Sequence, residues 1–382
     1  MIWRTVFMRQ RATWQKLKTF GSFCLIMLLL PYIVTVFVHG KDFESLGKKE
    51  EVYVNVKRPK APSVLSQLES RSGTVETSAA ENVSGAGNVG ADRKAETEIV
   101  QVPWEEYFIG IMGKEISADA EMELLKAQAV LLRTKLYQEL DAQEQKVLEE
   151  DYLTRRELEE KAGTSEADSY YENLLQAMRE TENQVLLYQD TYALAPFHQS
   201  SNGRTRSAQE ALGVDHCPYL AVRECPLDKE ADDEMQISTF EYKDIQSKCQ
   251  SFLVAVAEEE ANKTIQFSDF EIISHDSAGY VQQMRIGETV CTGDQFRDAL
   301  SLTSSAFSIK DTEGKLQITT MGKGHGIGLS QWTAQKMAKA GDSYEKILQF
   351  FFEGTTLADG GPVKEKLQPI ETSEDSPAGS EK

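Results

Sequence analysis

Cysteine is scarce, with five residues in 382, which excludes a small scaffold held together by dense disulfides. Basic charge is also short: 41 Lys and Arg face 61 Asp and Glu, for a net charge of −20. A general nucleic-acid binder needs a basic stripe to displace phosphate counterions, so that class is excluded. No internal repeat, no CxxC pair and no GxSxG nucleophile elbow is present. The glycine-rich stretch around residue 325 lacks the Lys-Ser/Thr of a phosphate loop and the acidic residue of a dinucleotide fingerprint. What remains is ample for a core. Hydrophobic residues make up 40% of the chain and charged ones 27%, and the length suits one large or two small domains.

Charge of either sign is missing from one segment. Thr19 to Gly40 (TFGSFCLIMLLLPYIVTVFVHG) holds no Asp, Glu, Lys or Arg, and Phe20–Val38 is long enough for a bilayer core, which takes about 20 residues. A globular helix is rarely apolar on every face over that length. Residues 1–18 before it carry Arg4, Arg9, Arg11, Lys16 and Lys18 and no acid, which sets that end in the cytoplasm. The expectation is a basic cytoplasmic segment at 1–18 and a single transmembrane anchor at 19–40, with the body outside. A cleaved signal peptide is the alternative, though Thr35–Val38 offers no small-x-small site. Either way the body is exported, so disulfides are permitted among Cys217, Cys225, Cys249 and Cys291, with the pairing unreadable.

Residues 41–99 are polar and poor in large apolar side chains, which predicts a flexible linker; the tail at 358–382 reads the same way. The body at 100–357 mixes periods. Met122, Leu125, Ala129, Leu132 and Leu136 recur at helical spacing, predicting a helix from Glu121 to about Glu150 with Asp119 as its cap. A second helix is expected at Ser169–Thr181 and a hairpin follows, with its turn at Gln189-Asp190. Short strands are expected at 268–277, 281–288 and 317–320. Helices at 330–341 and 344–352 close an α+β pattern.

Three segments could carry chemistry. In the first, EEYFIGIMGKEISADAEMELLKAQAVLLRTKLY, Glu115 stands beside Ile109, Ile111, Met112 and Ile116. If these desolvate it, its carboxyl keeps its proton and can act as a general acid; otherwise it is an ordinary glutamate near a helix start. The second, FHQSSNGRT at 197–205, joins a turn signal to small hydroxyls that could meet a polar ligand, or is a plain hairpin loop. The third, MGKGHGIGLSQW at 321–332, brackets His325 with four glycines, suggesting close backbone approach; Ser330 is a reasonable cap for the helix after it. Zinc on His198, His216, Cys217 and Cys225 is disfavoured, because adjacent His and Cys do not easily share one ion. No metal or cofactor is expected.

Together these segments resemble the stage II sporulation protein D family, also called the amidase-enhancer family. The resemblance runs in order over about 100–357: EEYFIGIMGKEI and LLKAQAVLLRTKLY, QVLLYQDTYALAPFHQSSNGRT, CPYLAVREC, GDQFRDALSL, and GKGHGIGLSQWTAQKMAKAGDSYEKILQFFFEGTTL. It implies a membrane-anchored lytic transglycosylase that cuts peptidoglycan glycan strands during engulfment of the forespore, working in the space between the two membranes. Glu115 falls at the family's essential glutamate. Lys126, Gln128, Arg133, Ser200, Ser201, Thr205, His325, Ser330 and Gln331 become groove residues that hold the glycan or stabilise developing charge. Implied partners are a sporulation amidase and a membrane scaffold protein. Some relatives are described instead as glycan-binding modules that stimulate an amidase without cutting. The chain departs from many relatives at 140–168, which lacks the Cys and His that bind zinc in some. It also carries Ser201-Asn202-Gly203 where Ser-Gly-Gly is usual, a change that keeps the turn if Asn202 takes the left-handed conformation.

Overall fold

The computed structural model describes residues 51–59, 97–163, 167–232, 234–253 and 265–367. The basic segment 1–18, the apolar run 19–40, most of the expected linker and the tail beyond 367 lie outside them. Among the described residues no helix is long and apolar enough to cross a membrane. The elements below belong to one unit, Tyr53–Lys382.

The body begins earlier than the composition suggests. Strands β1 (Tyr53–Pro59) and β2 (Thr97–Pro103) pair antiparallel, Tyr53 opposite Pro103 and Pro59 opposite Thr97. Val54 and Val56 point inward and are buried, whereas Tyr53 and Lys57 point outward. That period of two makes a strand of residues assigned to the linker. Helix α1 (Trp104–Glu115) follows, with Glu105 and Glu106 at its positive end.

Helix α2 spans Met122–Ala142, with Glu121 rather than Asp119 at the cap position, and it stops short of Glu150. After it β3 (Val147–Leu148) lies parallel to β1. The expected stripe is buried, but so are Gln128, Arg133 and Thr134, so α2 is a central helix covered on several sides. It packs against β4 (Gln184–Tyr188) and against α4 (Ala167–Glu180), which in turn packs on α3 (Arg155–Ala162). Helix α3 was not expected; Thr154 and Glu157 close a capping box at its start. The hairpin of β4 and β5 (Thr191–Tyr192) turns at Gln189 and Asp190 as predicted, with φ of 51° and 63°, the left-handed pair such tight turns require.

From there the chain crosses β6 (Phe197–His198), the short α5 (Ala208–Leu212) and a 3-10 turn at Pro226–Glu230. It then builds a second layer. Strand β7 (Met235–Phe240) leads through α6 (Tyr242–Lys248) to the meander β8 (Phe270–His275), β9 (Val281–Ile286) and β10 (Thr289–Cys291). Helix α7 (Gly293–Leu300) leads on to β11 (Phe307–Thr312) and β12 (Lys315–Met321), and β12 lies between β11 and β7. Ile245, Met284, Phe296, Leu316 and Ile318 form the core between these sheets and α6 and α7. Each such fully buried side chain contributes roughly 1.5–3 kcal/mol. The chain returns through β13 (Leu329–Ser330), α8 (Gln331–Lys339) and α9 (Tyr344–Phe351) to β14 (Thr356–Asp359), which pairs with β4, and ends on α10 (Val363–Lys366). Strand β14 and α10 extend the fold into the stretch expected to be tail. The mixture of helices and separate small sheets is α+β. Cys217, Cys225, Cys249 and Cys291 are buried free thiols.

Candidate functional site

The second and third motifs are brought together by a short parallel pair. Strands β6 and β13 set Phe197 beside Leu329 and His198 beside Ser330, and Ser200 bridges Lys323. Glycine makes the approach possible. A Cβ at Gly328, whose φ is +75°, would stand 2.1 Å from the Pro196 carbonyl oxygen, and at Gly326 it would strike the Tyr280 ring.

Beneath this pair lies a carboxylate that the sequence did not single out. Asp228 is fully buried. Its Oδ2 accepts from the Ser201 N–H at 2.7 Å and the Ser201 Oγ at 2.6 Å. Its Oδ1 accepts from Ser330 Oγ at 2.8 Å and Thr333 Oγ1 at 2.6 Å. Ser201 and Ser330 are therefore spent on joining the two motifs. Ser330 also caps α8, accepting from the Thr333 N–H.

Helix α8 then reaches the first motif. Gln331 Nε2 donates at 3.2 Å to the Glu115 carbonyl and at 3.2 Å to Gln128 Oε1. One turn on, Gln335 donates to the Asp119 carbonyl at 2.9 Å and accepts from the Glu121 N–H at 2.8 Å. Glu115 itself is the last residue of α1, not a residue near a helix start. Its carboxyl is exposed, while Ile109, Ile111, Met112 and Ile116 are buried. The apolar neighbours face the core and do not wrap the carboxyl, so the expected desolvation is not seen. In this region the carboxyl that burial pushes above the usual range is Glu234, with the Asp228 charge adding to the effect.

Glu115 opens into a cleft of about 430 Å³, within the range of small-ligand sites. Its walls include Ser117, Asp119, Gln199, Ser200, Asp232 and Lys323, with Gln331, Trp332 and Gln335 from α8 and Lys114 and Lys161 beside Glu115. Trp332, which the sequence reading passed over, carries Lys336 over its ring at 4.6 Å. Glutamine, serine and tryptophan in one cleft suit a ligand with many hydroxyls and apolar ring faces. Among the described residues no cluster of three His, Cys, Asp or Glu could hold a metal.

Of the expected groove residues, Glu115, Ser200 and Gln331 line the cleft, and Gln128 stands behind Gln331. The others have internal duties. Lys126 pairs with Glu123 at 2.8 Å and Glu180 at 2.7 Å. Arg133 is buried against the Phe108 ring and donates to the carbonyls of Met178, Thr181 and Gln184, closing the end of α4; burial pulls its pKa down to about 10. Thr205 bonds the Ala221 carbonyl and the Arg223 N–H. His325 Nδ1 accepts from the Ile327 N–H at 3.0 Å, and the ring also bonds the Phe197 backbone. It clasps its own loop and does not face the cleft. His198 is a core histidine, its Nδ1 donating to the Ile327 carbonyl at 3.2 Å. In the 201–203 turn, Gly203 (φ +105°) takes the left-handed conformation and Asn202 does not; Asn202 instead accepts from the Arg204 N–H and donates to the Ala278 carbonyl.

Residues 92–188 match the family model described as Stage II sporulation protein, a segment that contains Glu115 and all of α2. The chain is 27% identical to Stage II sporulation protein D of Bacillus subtilis (strain 168), over 89% of this chain and 95% of that one. It is 26% identical to Stage II sporulation protein D of Bacillus amyloliquefaciens, over 70% and 77%. It is 24% identical to the Amidase enhancer of Bacillus subtilis (strain 168), over 65% of this chain and 40% of that protein. With the three motifs assembled around one cleft, the chain is similar to stage II sporulation protein D over most of its length and carries the match to the family model at residues 92–188.

Proposed function

We propose that this protein is a cell-wall enzyme of sporulation, a lytic transglycosylase that cuts peptidoglycan glycan between N-acetylmuramic acid and N-acetylglucosamine. The observation that carries the reading is Glu115, whose carboxyl opens into a cleft walled by amides, hydroxyls and an indole while its backbone is held from α8. Glu115 protonates the glycosidic oxygen as the bond to the muramic C1 breaks. The resulting carboxylate takes the proton of the same sugar's C6 hydroxyl, whose oxygen closes onto C1 as a 1,6-anhydro ring. Acid and base are one group used twice. The nucleophile is internal, so the second carboxylate that ordinary glycosidases need is not required. Gln331, Gln335 and Ser200 supply bonding for sugar hydroxyls, and Trp332 an apolar face. In this reading the basic segment and apolar run at 1–40 hold the body on the outer side of the cell membrane, near an amidase that strips stem peptides.

The test is a digest of peptide-stripped glycan strands by the full chain, followed by mass spectrometry. New 1,6-anhydro-muramic ends are expected. A second reading, a glycan-binding module that stimulates an amidase, is favoured by the solvent exposure of Glu115 and by the name of the Amidase enhancer relative. It predicts strands bound but uncut, with faster peptide release when an amidase is added.

A further inference from the structure

Helix α1 ends in an unusual way. The last carbonyls of a helix have no partner inside it and must find one elsewhere. Here side chains from three other helices supply them. Lys161, in α3, donates to the carbonyls of Gly113 at 2.7 Å, Lys114 at 2.9 Å and Ile116 at 2.9 Å, using every proton of its ammonium group. Tyr170, in α4, shares its single hydroxyl proton between the carbonyls of Gly113 at 3.0 Å and Ile116 at 3.1 Å. Gln331 takes the remaining carbonyl, that of Glu115. Four consecutive carbonyls, 113 to 116, are thus held by side chains, and Lys161 alone holds three.

The sequence permits this through Gly113. A Cβ there would stand 2.4 Å from Leu158 Cδ2 and 3.0 Å from Leu174 Cδ1. Its absence lets α3 and α4 lie directly against the end of α1. Lys161 is one turn beyond Leu158 on the same face of α3, which brings its ammonium over the helix end. A cation at that place also suits the negative pole of the α1 dipole. Lys161 lies within electrostatic reach of Glu115, and both line the cleft.

We propose that Lys161 is the positioning residue of the Glu115 turn: it fixes where the carboxyl stands in the cleft without touching the substrate's reacting atoms. The proposal rests on the reading of Glu115 as the acid, and it draws α3, a helix with no recognisable motif, into the site.

The test uses the full chain as Lys161→Met and Lys161→Arg. Two readouts are taken: amide hydrogen exchange over 112–121, and kcat and KM on peptide-stripped glycan. Melting temperature checks that each variant is folded. For Lys161→Met the expected results are exchange at least tenfold faster in that segment and kcat down about tenfold with KM within twofold, since small misplacements of a catalytic group lower rate more than binding. Lys161→Arg keeps a cation and several donors and is expected to restore much of both. Unchanged exchange in folded Lys161→Met overturns the proposal, as does faster exchange with full kcat. If the wild type cuts no glycan, the transglycosylase reading falls, while the exchange measurement still decides whether Lys161 holds the turn.

Discussion

Asp228 joins two motifs that are far apart in the sequence. Among the described residues it has no cationic partner; four N–H and O–H donors from Ser201, Ser330 and Thr333 hold it. Replacing it strands those donors in the interior, and each buried unsatisfied group costs about 1–3 kcal/mol. Asp228→Ala is therefore expected to lose about 3 kcal/mol or more in urea unfolding, and Asp228→Asn less, because the amide oxygen still accepts from one side. A loss under 1 kcal/mol for the alanine variant would show that the joint is dispensable. Nothing around Asp228 in CPLDKE reveals this duty, since its partners lie 27 to 105 residues away. The same limit explains Lys126, Arg133, Thr205 and His325. Their residue types suited a groove, but helical spacing and loop composition do not say which neighbour covers a side chain. Arg133 closes α4 and His325 clasps its loop. Glu115, Ser200 and Gln331 were legible because their motifs bracket the cleft itself.

Among the elements, α8 does the most to assemble the site. Gln331 holds the end of α1 and Gln335, one turn on, holds the segment that follows it, and Trp332 faces the cleft from the same helix. The helix can do this only because the loop before it closes tightly on β6. Gly328→Ala puts a Cβ against the Pro196 carbonyl oxygen at a φ of +75°, where the backbone penalty alone is about 1 kcal/mol or more. The expected outcome is a loss of at least about 2 kcal/mol together with weakened protection of β6 and β13 in hydrogen exchange. Gly341→Ala, with φ +93° and nothing within 4 Å, is the comparison that isolates the backbone term, and its loss should be clearly smaller. Element by element, the periodic stretches were readable: the hairpin turn, α4, α8 and α9 lie where the pattern puts them. The pattern leaves β1 within the linker because its alternation is embedded in a polar stretch. It also puts Glu115 near a helix start, whereas Glu115 is the last residue of α1 and the backbone is already extended at Ile116.

At the scale of the whole molecule, a packed histidine pair, His198 buried and His325 half-buried, links folding to pH. The rings of His198 and His325 lie 5.7 Å apart. Burial holds His198 down to about 3, with the neighbouring His325 adding to the effect. Burial, with the Arg297 charge adding to it, holds His325 down to about 4. In the unfolded chain both titrate near 6.5, so below that pH the unfolded state binds protons that the folded state does not. Their stabilisation is complete above about 6.5 and is lost as pH falls from there toward 4, by up to about 2 kcal/mol for each histidine at pH 5. Urea unfolding at pH 7.5 and pH 5 should show this loss, and His198→Gln and His325→Gln should each flatten it; an equal slope in both variants would contradict the assignment. The most direct test of the account is made on the intact protein. Wild type and Glu115→Gln are incubated with peptide-stripped glycan strands, and anhydro-muramic ends are counted by mass spectrometry. The account predicts such ends from the wild type and a loss of about 100-fold or more in the variant, the usual contribution of a general acid, with binding of the strands retained. Equal cleavage by both proteins, or strands bound and left uncut by both, would contradict it.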